Sequence, residues 1–102
     1  MSAISLKSIT GITSITTPAG IDNQLTLHTN NTTERFRIDS SGRLLIGTTT
    51  EGHGNADDLT IATTDHTGIT LRSATNRNGS VFFSDGTSGA DEYRGWIQYT
   101  HT

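Results

Sequence analysis

The chain of 102 residues contains no cysteine, one proline and one lysine. The absence of cysteine excludes disulfide bonds and thiolate-ligated zinc sites. No run of 18 apolar residues occurs, so insertion into a membrane as a helix is not expected. Seven basic residues stand against ten acidic ones and form no basic patch, which argues against a nucleic-acid-binding protein.

Large apolar residues are scarce as well. Leu, Ile, Val and Phe together number 21, and a domain of this size buries only about 60–65% of its unfolded surface. A monomeric core would therefore be thin, and small domains of this kind usually depend on disulfides, a metal or oligomerisation. Because cysteine is absent and the four histidines lack the spacing of metal ligands, oligomerisation is the expected route, with no metal and no cofactor.

Threonine is abundant, with 20 residues, and serine follows with 10. Threonine is β-branched and suits a pleated, half-solvated strand. Short segments that alternate apolar and polar residues are separated by turns rich in Gly, Asn and Ser, which is typical of an all-β fold. The inward positions predicted from this alternation are Leu25, Leu27, Phe36, Ile38, Leu44, Ile46, Leu59, Ile61, Ile69, Leu71, Val81 and Phe83.

Three segments are predicted along the chain. Residues 1–22 form an N-terminal segment in which apolar residues recur at every third position from Leu6 to Ile15. This period fits neither a flat strand nor a helix, and it favours either a chain that wraps around an axis shared with its partners or two short strands joined by a bulge. Residues 23–50 form a first β-module, and residues 51–102 form a second β-module or knob.

The segment Glu34–Gly47 predicts a β-hairpin. Arg35 and Arg37 alternate with apolar residues, Ser40-Ser41-Gly42 supplies a turn, and apolar alternation resumes beyond Arg43. A weaker internal repeat is also present, because Leu-Thr-Leu-x-Thr at 25–29 recurs as Leu-Thr-Ile-x-Thr at 59–63. Repeats of this kind are typical of modular β-fibres.

Three segments resemble recurrent sequence patterns of phage tail fibres, particularly those of marine phages. Glu34–Gly47 is similar to their Glu-Arg-x-Arg-Ile-x-Ser-x-Gly-x-x-x-Ile-Gly module, and Leu25–Asn31 fits the Leu-Thr-Leu-x-Thr-Asn-Asn pattern upstream of it. Gly79–Tyr99 resembles a second module of the same fibres. The resemblance implies an intertwined homotrimer in a virion appendage that contacts the host surface. Such fibres often carry a self-cleaving C-terminal chaperone domain after these modules, and none of the 102 residues resembles one.

A cluster of aromatic and charged residues near the C-terminus is the candidate binding site. Aromatic rings stack on sugar rings, and neighbouring Asp and Arg side chains form hydrogen bonds with hydroxyl groups, so a glycan-binding surface is one interpretation. The alternative is that the aromatic residues fill the core of the trimer. The candidate residues are Asp91, Tyr93, Arg94, Trp96 and Tyr99.

Other candidate chemistry has a simpler structural explanation. The oxygen-rich loop from Asp85 to Glu92 would suit calcium, but two successive Gly-containing turns explain the same residues. The adjacent pairs Asp57-Asp58 and Asp91-Glu92 would point to opposite faces of a strand, whereas a glycoside hydrolase needs two carboxyl groups facing one groove. An enzyme is therefore not expected.

These observations predict an elongated, intertwined homotrimeric β-fibre, with a shaft like a triple-stranded β-helix or β-prism that ends in a small β-knob. The expected function is structural and adhesive: a segment of a tail fibre in the virion, made in the host cytoplasm, that positions or contacts a glycan or another outer-membrane receptor. One alternative is a Thr-rich ice-binding β-solenoid, suggested by Thr13, Thr16, Thr48, Thr50, Thr60 and Thr70. A fragment of a polysaccharide-degrading tailspike is a further alternative.

Overall fold

The computed structural model describes residues 23–101, so the predicted period-three segment lies outside the described residues. The described part is mostly β-strand with almost no helix, which confirms the all-β class. It divides between Thr67 and Gly68 into two compact units. The elements within residues 23–101 are β1 (Leu25–Thr29), β2 (Thr33–Ile38), β3 (Leu44–Ile46), β4 (Leu59–Ile61), β5 (Gly79–Phe83), a 3-10 helix (Gly89–Tyr93) and β6 (Gly95–Tyr99).

The first unit is a four-stranded sheet in the order β1-β2-β3-β4. The first three strands are antiparallel neighbours, and β4 pairs with β3 in parallel. β4 therefore belongs to the first sheet, whereas the sequence pattern assigned residues 51–102 to the second module. The two segments of the internal repeat form the two edges of this one sheet.

The predicted hairpin is present as β2 and β3, and Asp39 organises its turn. The Oδ1 atom of Asp39 accepts hydrogen bonds from the main-chain N–H groups of Ser41 at 2.9 Å and Arg43 at 3.0 Å. Its Oδ2 atom accepts one from Nε of Arg43 at 2.8 Å. Gly42 occupies the left-handed region with φ of 83°, a conformation in which glycine carries no steric cost. The Asp-Ser-Ser-Gly sequence therefore closes the turn through local contacts alone.

Hydrogen bonding in this turn lowers the pKa of Asp39. The main-chain N–H of Arg43 has the largest effect, and the Arg43 side chain and the N–H of Ser41 act in the same direction. On the preceding strand, Arg37 donates two hydrogen bonds to Glu34, at 2.7 and 2.6 Å, which lower the pKa of that carboxyl group. Both carboxylates are thus held in their charged form by cationic or N–H donors.

One face of the first sheet is apolar on all four strands. The register aligns two rows of side chains across the sheet, and because side chains alternate along a strand, both rows share one face. We call this the apolar face. Its rows are Leu25, Ile38, Leu44, Leu59 and Leu27, Phe36, Ile46, Ile61.

The apolar face is incompletely covered. Four of its eight side chains remain 38–50% exposed: Leu27, Ile38, Ile46 and Leu59. The sequence pattern correctly groups these residues on one face, but the chain alone does not bury them. Such half-covered aliphatic side chains forfeit part of the stabilisation that full burial would provide.

The opposite face carries the one buried side chain among residues 23–101. Leu45 is only 1% exposed, and it lies in a cross-strand row with Thr26, Arg37 and Thr60. Because Leu44 and Ile46 were the predicted inward residues, alternation put Leu45 on the outward side. Its burial therefore differs from the pattern, and within the sheet Leu45 lies between Arg37 of β2 and Thr60 of β4.

Gly47 allows the close approach of β3 and β4. Its φ is 77°, and a Cβ atom at this position would lie 2.3 Å from the carbonyl oxygen of Ala62. The main chain is fixed there by hydrogen bonds from Gly47 N–H to the carbonyl of Arg35 at 3.1 Å and from Ala62 N–H to the carbonyl of Ile46 at 3.0 Å. Only glycine satisfies both the conformation and the spacing.

Arg43 connects the hairpin turn to the segment that leads into β4. Besides its bond to Asp39, its Nη1 atom lies 3.0 Å from Asp57 and 3.5 Å from Glu51. The main chain connects the same two segments, because the N–H of Leu44 donates a hydrogen bond to the carbonyl of Asp58 at 2.8 Å. This guanidinium therefore joins the carboxylate of the hairpin turn, Asp39, to two carboxylates of the loop before β4, Glu51 and Asp57.

Candidate functional site

The candidate residues lie in the second unit, where β5 and β6 form an antiparallel hairpin. The register pairs Phe82 with Trp96 and Ser80 with Gln98. It also pairs Val81 with Ile97. Because side chains alternate along each strand, the Phe82–Trp96 and Ser80–Gln98 pairs share one face of the hairpin, and the Val81–Ile97 pair lies on the other. We call them the Trp96 face and the Ile97 face.

The Trp96 face presents three exposed aromatic side chains. Phe82 is 53% exposed, Trp96 58% and Tyr93, from the end of the 3-10 helix, 47%. The rings of Phe82 and Tyr93 lie 6.3 Å apart between centroids and are tilted by 53°, a favourable arrangement for an aromatic pair. The face is thus a largely apolar surface of flat rings.

Polar groups continue the Trp96 face along the hairpin. The hydroxyl of Ser80 donates to Oε1 of Gln98 at 3.1 Å. The amide nitrogen of Gln98 donates to the hydroxyl of Thr100 at 3.1 Å. These contacts fix the orientation of the Gln98 amide beside the aromatic residues. The amide oxygen can still accept one further hydrogen bond, and the amide nitrogen can still donate one.

Asp91 and Arg94 hold the loop that leads from β5 to the 3-10 helix. The main-chain carbonyl of Asp91 accepts hydrogen bonds from the N–H groups of Asp85 at 2.7 Å and Gly86 at 3.2 Å, and from the hydroxyl of Ser84 at 3.0 Å. Nη2 of Arg94 binds the Asp91 carboxylate, and its Nε lies 3.9 Å from that of Asp85. Arg94 therefore lies close to two carboxylates of the oxygen-rich loop, those of Asp91 and Asp85.

The Ile97 face borders an open cleft of about 410 Å³. Its exposed apolar residues include Ile97 at 70%, Leu71 at 56% and Val81 at 46%. Tyr99 also lies here, with its ring edge-on to His101 at 4.6 Å between centroids. The cleft is lined by Leu71, Arg72, Ser73, Gly79, Val81, Ile97, Tyr99 and His101.

The structure therefore divides the five predicted site residues. Tyr93 and Trp96 contribute to the Trp96 face, Asp91 and Arg94 form the ion pair of the adjoining loop, and Tyr99 lies on the Ile97 face. Phe82 joins the aromatic surface although the sequence pattern did not single it out as a site residue. Its pairing with Trp96 depends on the hairpin register, which the sequence of Phe82-Phe83 alone does not specify.

The remaining candidate residues are distributed over both units. Asp57 forms an ion pair with Arg43, whereas Asp58 contributes its main-chain carbonyl to the first sheet. Of the threonines considered for ice binding, Thr60 lies in β4, and Thr48, Thr50 and Thr70 lie outside the strands. Residues 23–101 contain no group of three or more His, Asp or Glu side chains arranged to hold a metal ion.

No protein-family model, curated protein or solved structure matches this chain. In the part of the chain that the structure describes, no helix has the length and apolar character needed to cross a membrane.

Proposed function

We propose that this chain is a structural and adhesive segment of a phage tail fibre, which assembles as an elongated, intertwined homotrimer and contacts a receptor on the host cell. The observation that carries the proposal is the apolar face of the first sheet, whose eight aligned side chains are only partly covered by their own chain. The sequence resemblance of Glu34–Gly47 and Gly79–Tyr99 to tail-fibre modules supplies the biological context.

The energetics support assembly through this face. Full burial of a Leu or Ile side chain contributes about 1.5–3 kcal/mol, so covering the exposed fraction of each of the four half-exposed residues would add roughly 1 kcal/mol per residue. In a trimer this contribution is repeated in every chain. It is comparable to the total stability of a small domain, about 5–15 kcal/mol, and it compensates for a core with one fully buried side chain among residues 23–101.

The charge pattern is compatible with this arrangement. On the first sheet, Arg37, Arg43 and their carboxylate partners satisfy one another within the chain. The eight residues that define the apolar face are uncharged, whereas the exposed Arg35 lies at the bulge beside Leu27 and donates a hydrogen bond to the hydroxyl of Thr29. Copies that approach through these eight residues and leave Arg35 in water avoid desolvating a charge, which would be strongly unfavourable.

The mass in solution tests the proposal. Sedimentation equilibrium of the full chain is expected to give three chains per particle. Leu59→Asp introduces a charge into the apolar face and is expected to dissociate the particle. Thr49→Asp introduces the same charge at an exposed position outside the strands and is expected to leave the mass unchanged. A monomeric wild-type protein with a cooperative unfolding transition would refute the proposed assembly.

A further inference from the structure

We propose that the Trp96 face binds uncharged sugar rings of a host-surface polysaccharide. This inference rests on the proposed function, because it assigns the receptor contact of the fibre to one face of the second hairpin. The residues that carry it are Phe82, Tyr93 and Trp96, with Gln98 and Ser80 beside them.

The composition of this face suits a pyranose ring. One side of a hexose presents mainly C–H groups, which pack on flat aromatic rings, while its hydroxyl groups need hydrogen-bond partners at the edge. Phe82 and Trp96 occupy directly opposed positions, and each is more than half exposed. The Gln98 amide, held in place by Ser80, supplies both a donor and an acceptor further along the same face.

The surrounding charge selects among sugars. The loop and 3-10 helix that lead to this face carry three carboxylates, on Asp85, Asp91 and Glu92, against the single guanidinium of Arg94. That guanidinium is already engaged by two of these carboxylates. The local field is therefore negative and disfavours uronic acids, sialic acids and phosphorylated sugars. Neutral hexoses carry no such penalty.

Sugar binding and association of copies can use opposite faces of the second hairpin. Val81, Ile97 and Tyr99 project from the other side of the hairpin beside the cleft. Association of copies through that side would leave Phe82 and Trp96 accessible. Several copies of one weak sugar site on the same particle would then raise the overall avidity without any new contact.

Trp96 provides the readout, because it is the only tryptophan in the sequence. The full chain would be titrated with gluco-, galacto- and manno-oligosaccharides and with oligogalacturonate as an anionic probe, while tryptophan emission is recorded. A saturable change is expected with at least one neutral series and none with oligogalacturonate. Phe82→Ala and Tyr93→Ala are each expected to weaken binding roughly tenfold, since each removes one ring of the surface.

Phe83→Ala is the matched control, because it removes an identical, similarly exposed ring from the same strand as Phe82 but from the opposite face. It is expected to leave the affinity within about twofold of wild type. The inference is overturned if no neutral series changes the emission, if oligogalacturonate binds equally well, or if Phe83→Ala weakens binding as much as Phe82→Ala. Circular dichroism of each variant shows whether the variant is still folded. If Phe82→Ala does not fold, the loss of affinity is tested with Tyr93→Ala instead.

The mass of the same samples separates this inference from the proposed function. A trimer that binds no neutral sugar overturns the sugar assignment and leaves the assembly intact. A monomer that binds sugar overturns the trimeric fibre and leaves the sugar assignment intact. Adsorption to bacterial cells that survives periodate oxidation of surface sugars but is abolished by protease would indicate a protein receptor and would also overturn the sugar assignment.

Discussion

Truncation of Leu59 separates stability within one chain from stability gained by assembly. Leu59 lies in edge strand β4 on the apolar face and is 50% exposed. Leu59→Ala removes three carbon groups from the side chain. Complete burial of these groups contributes about 2.4 kcal/mol to stability, at ~0.8 kcal/mol per group. Half exposure divides this value into about 1.2 kcal/mol within the chain and about 1.2 kcal/mol that only other copies can supply.

In a trimer the second part occurs three times. Leu59→Ala is therefore expected to weaken assembly by about 3.6 kcal/mol per particle, which corresponds to several-hundred-fold in the association constant. Leu45→Ala is the matched comparison, because Leu45 is 1% exposed on the other face. We expect it to lower the free energy of unfolding by about 2–5 kcal/mol through cavity formation, with little effect on association among folded chains.

The assay is sedimentation equilibrium over a hundredfold range of protein concentration, together with urea unfolding at each concentration. Leu59→Ala should move the monomer–trimer transition to higher concentration, and its unfolding midpoint should no longer depend on protein concentration below that transition. A loss of about 1.2 kcal/mol that is the same at every concentration, without any change in mass, would mean that the apolar face stays in contact with water and would refute the reasoning.

Two further predictions concern the first sheet. Gly47→Ala is expected to lower the free energy of unfolding by more than about 2 kcal/mol, because the new methyl group meets both the positive φ and the Ala62 carbonyl. Gly54→Ala, where no atom lies within 4 Å of the added Cβ, should stay within about 1 kcal/mol of wild type in the same urea titration, and equal losses at both positions would contradict the spacing argument. Because the pKa of Asp39 is lowered in the folded state, its contribution to stability is fully present above the pKa of the unfolded chain and is lost as the pH falls through the folded value. Asp39→Asn should therefore reduce stability at pH 7, and its difference from wild type should shrink in acid, as measured by urea midpoints between pH 7 and pH 2; a difference that is independent of pH would contradict the assignment.

The hairpin of β2 and β3 could be predicted from the sequence because its signals are local. The alternation around Phe36 and Ile38 sets the strand, and Asp39 and Gly42 close the turn through neighbouring main-chain groups. The shared face of the apolar residues follows from the same alternation. These features depend on residues close together in the chain, where pattern and conformation are directly linked.

Features that depend on distant pairing could not be predicted in the same way. The parallel pairing of β3 with β4 joins segments separated by a long loop, and it places β4 in the first unit with Thr60 beside Leu45. In the second unit, the register of β5 against β6 decides that Phe82 rather than Phe83 faces the same side as Trp96. A shift of one residue would exchange the two faces, and the sequence contains no local signal that fixes this shift.

The strand directions of the first sheet limit how copies can pair edge to edge. β1 and β3 run the same way, since both are antiparallel to β2, and β4 runs parallel to β3. The two edge strands, β1 and β4, therefore point in the same direction. If copies were arranged around an axis that runs along the strands, β4 of one copy would lie beside β1 of the next. These two strands would be parallel, as β3 and β4 are within one chain. A twofold axis would instead pair like edges in antiparallel. The polarity of the two edges thus permits a head-to-tail arrangement in which every interface is alike, and the rotation between copies determines whether it closes into a ring or continues as a filament.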